Sequence, residues 1–93
     1  MSRRPLASYG ELYEYLKMLA KTLAALGRAD LAEAITRAAA FVTRSPSEFL
    51  GETRLALKSL LGDADPRLSY DAREEIARIV EQVDRAFAAV GGG

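Results

Sequence analysis

Apolar residues recur along most of the chain at spacings of three and four, the period of helices that each bury one face. Between residues 9 and 26, Leu12, Leu16, Leu19, Leu23 and Leu26 share a narrow arc flanked by Tyr9, Tyr13 and Ala20. Between 30 and 43, Leu31, Ala34, Ile35, Ala38, Phe41 and Val42 gather on one side and leave Glu33, Thr36 and Arg37 on the other. Over 46–61 the stripe is Phe49, Thr53, Ala56, Leu57 and Leu60, with Leu50 and Leu61 at its margins. Over 70–90, Ala72, Ile76, Ile79, Val80, Val83, Ala86, Phe87 and Val90 fall on one face, opposite Glu74, Arg78, Glu81 and Arg85. That last stripe places Ile76, Val80, Val83 and Phe87 at the centre of the expected core.

Capping chemistry bounds the same four segments. Ser8-x-x-Glu11 forms a capping box ahead of the first helix, and Gly27 stops it. Asp30 offers an acceptor at the start of the second helix, and Ser45-Pro46-x-Glu48 opens the third with proline at its first position. Gly62 ends the third, and Ser69 caps the fourth, which carries Asp71, Glu74 and Glu75 near its positive end. Connections of two or three residues join the first three helices and favour antiparallel neighbours. The longer stretch from Gly62 to Ser69 can carry the chain across one end. The pattern predicts an all-α fold, a single compact up-and-down bundle of four helices over approximately 9–26, 30–43, 46–61 and 70–90. Residues 1–93 read as one domain with flexible ends at 1–7 and 91–93.

Composition supports helices over strands, with 17 Ala and 13 Leu against 11 Val, Ile and Thr together. It also narrows the chemistry. With no Cys and no His, the chain lacks disulfides, a thiolate nucleophile, an imidazole base and the usual zinc ligands. Lys+Arg and Asp+Glu both number 13, so no net field draws in nucleic acid or an acidic membrane surface. No uncharged apolar run is long enough to span a bilayer, and Glu11, Glu14 and Lys17 interrupt any signal-peptide core. A cytoplasmic protein is the expectation.

Candidate sites for chemistry fail on their own terms. Asp63-x-Asp65 with Glu74 has the ends of a calcium loop, but Arg67 and Leu68 occupy positions that require an oxygen ligand and a glycine. The glutamates, among them Glu11, Glu14, Glu33, Glu48, Glu52, Glu75 and Glu81, lie off the apolar arcs and so cannot face a bundle interior. Tyr9, Tyr13 and Tyr15 border the leucine arc with room for buried rings and wet hydroxyls, and Arg3 and Arg4 are too few for a nucleic-acid arm. No metal, cofactor, catalytic residue or small-molecule substrate is therefore expected.

Thr43-Arg44-Ser45-Pro46-Ser47-Glu48-Phe49-Leu50-Gly51-Glu52-Thr53 resembles the turn and second-helix start of ribbon-helix-helix repressors and antitoxins. The likeness covers about 30 residues, Leu31 to Leu61. It implies DNA binding through the helix pair 31–61, in an antitoxin-like regulator. Such proteins read DNA with a short strand just before the first of the two helices. Here a leucine-striped helix and Gly27-Arg28-Ala29 take that place, and residues 28–61 carry five basic and four acidic groups.

What remains is apolar side chains on the wrong face. Leu55 projects away from Phe49, Ala56 and Leu60, and Gly51 lies on that same outer side one turn earlier. A glycine inside a helix costs about 1 kcal/mol relative to alanine and invites a reason such as close approach of another helix. Met18, Ala25 and Ala40 are also off their arcs. Gly51, Leu55 and Met18 are thus the candidate partner surface of a small non-enzymatic interaction module that forms a homodimer or binds a protein partner.

Overall fold

The computed structural model describes residues 9–63 and 68–90. They form α1 (Tyr9–Ala25), α2 (Ala29–Ala40), one 3₁₀ turn (Phe41–Thr43), α3 (Pro46–Gly62) and α4 (Tyr70–Ala89), with no strand among the described residues. The chain is an all-α bundle, as the periodicity predicts. Ser8 and the ends at 1–7 and 91–93 lie outside the described residues.

Local chemistry sets most of the boundaries. Gly27 has φ 85°, the left-handed conformation that glycine adopts without penalty. There the Arg28 N–H donates to the Leu23 carbonyl at 2.9 Å and the Gly27 N–H to the Ala24 carbonyl at 3.0 Å, the paired bonds of a Schellman ending. At α3 the Ser45 hydroxyl accepts the Glu48 N–H at 3.2 Å with Pro46 at the first helical position. At α4 the Ser69 hydroxyl accepts the Ala72 N–H at 3.1 Å.

The second helix departs from the expected pattern at both ends. It begins at Ala29, so Asp30 lies inside the first turn and is not the cap; its carboxylate takes two hydrogen bonds from Arg28, at 3.1 and 3.0 Å. It ends at Ala40, and residues 41–43 tighten into the 3₁₀ turn that leads to Ser45. Its buried face is Ala32, Ile35, Ala38 and Ala39, while Ala34 is exposed. The rotation has a packing reason: Ala32 and Ala39 line the contact with α1, where Ala20 faces them, and small side chains let two helix backbones come close.

Backbones approach within 8 Å between α1 and α2, α2 and α3, and α3 and α4, whereas no Cα of α1 comes that close to α4. One apolar cluster nevertheless draws on all four helices. Leu16, Leu23, Ile35, Phe49, Leu50, Leu57, Leu60, Ile76 and Val83 are its most completely enclosed members. Leu50, expected at a margin, is fully enclosed. Phe87, expected at the centre, is only partly buried: the core face of α4 is Ile76, Ile79, Val80 and Val83, and Phe87 lies on the flank towards α3.

At the end of the bundle where α1, α3 and the start of α4 meet, the charges are cross-linked. Arg28, aimed across this end by the Gly27 turn, gives Asp63 two hydrogen bonds at 3.2 and 3.0 Å. Arg73 donates from one nitrogen to the carbonyls of Leu61 (2.7 Å) and Asp63 (3.2 Å), satisfying the end of α3. Asp63, the first residue of the sequence's calcium-like spacing, is therefore an ion-pair partner of Arg28; Asp65 is outside the described residues.

Two consequences can be measured. Arg28 holds the Asp30 carboxyl down to about 2. A depressed carboxyl contributes stability that is complete above its ordinary value of 3.8 and is lost as pH falls through about 2. In Arg28→Gln, an NMR pH titration should find Asp30 back in the ordinary carboxylate range. Thr53 is fully buried, and its hydroxyl oxygen has no hydrogen-bond partner among the described residues. Because a buried polar atom without a partner costs about 1–3 kcal/mol, Thr53→Val should leave stability unchanged or raise it by about 1 kcal/mol in urea unfolding. A loss of that size would show that the hydroxyl is bonded.

Candidate interaction surface

The sequence assigns Gly51, Leu55 and Met18 to one partner surface, and the structure places them in three different settings. Gly51 is half-buried, with the ring of Phe87 over it: a Cβ at this position would lie 3.1 Å from Phe87 Cε1. The reason for a glycine inside α3 is thus the close approach of α4. This corrects the expectation that Gly51 faces outward with Leu55.

Around this contact the α3–α4 flank is polar and well tied. Arg54 donates from Nε to Asp84 Oδ1 at 2.7 Å, Lys58 reaches Asp84 Oδ2 at 3.2 Å, and the Arg54 guanidinium lies 5.1 Å from the centre of the Phe87 ring. Arg54 first, and Lys58 with it, hold the Asp84 carboxyl below its ordinary range. Next to this flank Leu55 stands on the outer ridge of α3, 58% exposed. Neither side of that ridge offers it an apolar neighbour of comparable size, since Lys58, Ser59 and Glu52 are all exposed around it.

Met18 is 69% exposed on α1, which makes no close backbone approach to α3. It borders an open groove between α1 and α2 floored by alanines, including Ala20, Ala24, Ala32 and Ala39. Lys17 and Tyr13 form one wall of that groove, the ammonium 5.3 Å from the ring centre. Along the α1 ridge Met18 is accompanied by exposed Glu14, Lys21 and Ala25. The sequence treats Glu14 as solvated surface and does not single out Lys21; their signal is the four-three-four spacing 14, 18, 21, 25, which keeps them on one line with Met18. The structure thus offers two outer ridges on two helices, and it does not unite Leu55 with Met18.

The tyrosines are divided between the ends and sides of the bundle. Tyr9 meets the buried Phe49 ring edge to face, centres 6.2 Å apart, while Tyr13 and Tyr15 are half-buried against the core. Tyr70 is exposed, and its hydroxyl bonds to Glu74, which raises its pKa. Upstream of α2, where ribbon-helix-helix proteins carry their strand, residues 9–25 are helical. No described helix is long and apolar enough to cross a membrane.

Comparison with known proteins finds no matching family model, no matching curated protein and no matching solved structure.

The Gly51–Phe87 contact predicts a non-additive pair. Phe87→Ala should cost about 1.5–3 kcal/mol, because the ring is only partly buried. Gly51→Ala should recover the helix preference of about 1 kcal/mol in full only when Phe87 has been truncated. A double-mutant cycle in urea that returns simple additivity would show that the ring does not constrain position 51.

Proposed function

We propose that this chain is a small non-enzymatic helical module that acts by associating with a second copy or docking on a protein partner. The observation that carries the reading is the exposure of two large apolar side chains, Met18 and Leu55, on outer ridges whose other long side chains are charged. A helix that already buries a complete stripe gains nothing in the monomer from such residues; covered by a partner, each would remove apolar area from water at about 25 cal/mol per Å². Lack of His and Cys supports the non-enzymatic assignment by leaving no nucleophile and base pair to name. We place the module in the cytoplasm, where a chain without cysteine forgoes nothing.

Sedimentation velocity over a wide range of protein concentration tests this reading directly. The native chain should associate with increasing concentration, and at least one of Met18→Ser and Leu55→Ser should weaken that association, each changing monomer stability by no more than about 0.5 kcal/mol, as exposed positions do. Duplex DNA titrated at low salt supplies the competing arm. Salt-sensitive DNA binding by a chain that never self-associates would replace this reading with the regulator implied by residues 43–53.

A further inference from the structure

The geometry points to the outer ridge of α1 as a self-complementary surface that pairs two copies of this chain antiparallel, Met18 against Met18 at the two-fold axis. This rests on the self-association reading above and assigns it a surface. Glu14, Met18, Lys21 and Ala25 are all exposed and follow one another at four, three and four residues, so they form a single line along the helix.

Rise per residue then fixes what meets what. At about 1.5 Å per residue, Glu14 lies about 6 Å to one side of Met18 and Lys21 about 4.5 Å to the other. A two-fold axis at Met18 reverses the second helix, bringing Lys21 of the second copy to within about 1.5 Å, measured along the axis, of the level of Glu14. The symmetry repeats the pair, so one contact supplies two opposite-charge pairs flanking two thioethers. A parallel arrangement would set Glu14 against Glu14 and Lys21 against Lys21, which disfavours it.

The monomer leaves these charges uncommitted. Among the described residues neither Glu14 nor Lys21 has an ion-pair partner, whereas nearby Lys17 is engaged by the Tyr13 ring and Glu33 by Arg37 at 3.1 Å. Beside the ridge, the alanine floor between α1 and α2 leaves room for the flexible side chain of the opposing Met18. The Leu55 ridge carries opposite charges three residues to either side, Glu52 and Lys58, but there the cation is already committed, Lys58 lying 3.2 Å from Asp84. Its adjoining charges, Arg54, Lys58 and Asp84, are already joined to one another.

Charge reversal tests this arrangement by sedimentation equilibrium, with circular dichroism confirming that each variant is folded. Lys21→Glu sets Glu14 against a glutamate, and Glu14→Lys sets a lysine against Lys21. Each should weaken dimerisation about tenfold or more, since every substitution disrupts two pairs. The double variant Glu14→Lys/Lys21→Glu restores both pairs with their signs exchanged and should return to within about threefold of the native constant. Raising the salt concentration should weaken the native dimer and the double variant alike. A native dimer indifferent to the single reversals, or a double variant no better than the singles, overturns the α1 surface while leaving self-association standing. Loss of that dimer in Leu55→Ser would then move the contact to α3. A native chain that remains monomeric at every concentration overturns self-association itself.

Discussion

Burial of one apolar stripe from each of four helices is the constraint from which the other features follow, because a 93-residue chain without cysteine has no covalent staple to replace it. Leu16, Ile35, Leu57 and Ile76, one from each helix, are almost completely withdrawn from water within a single cluster. The helices are arranged to make that possible. Alanines between α1 and α2, and Gly51 between α3 and α4, let neighbouring backbones approach, while larger side chains fill the shared interior.

The polar chemistry follows the same constraint by closing the ends. Gly27 turns the chain through a conformation an L-residue adopts only at a cost of about 1–2 kcal/mol, and the turn delivers Arg28 across the bundle to Asp63. Arg73 then satisfies carbonyls at the end of α3. These contacts tie the α1–α2 hairpin to the α3–α4 hairpin at the end where both change direction. They are structural groups, and they leave Met18 and Leu55 exposed on the outer ridges of α1 and α3.

Much of this was legible in the residues, and the misreadings have physical causes. The leucine stripe of α1, the serine caps at Ser45 and Ser69 and the stop at Gly27 are local signals, each carried by a few neighbouring residues. The buried face of α2 was not legible. It contains many alanines, which are nearly neutral about burial, so periodicity chose Ala34 where packing against α1 chose Ala32 and Ala39. Gly51 shows the same limit: its spacing places it near Leu55, but the ring that explains it comes from Phe87, 36 positions later in the chain. Exposure of Met18 and Leu55 followed correctly from their angles on the helix, whereas their separation on different faces depended on the tertiary arrangement.

The core cluster is enclosed within one chain, so the self-association proposed above should touch the bundle only from outside. A dilution series of amide and methyl NMR spectra on the native protein tests that claim most directly. Concentration-dependent shifts should be confined to the outer ridge of α1, centred on the Met18 methyl and the amides of residues 14–25, with the core signals of Leu57 and Ile76 unmoved. Shifts centred on Leu55 would contradict the proposed α1 contact, and shifts spread through the core residues of all four helices would contradict the claim itself.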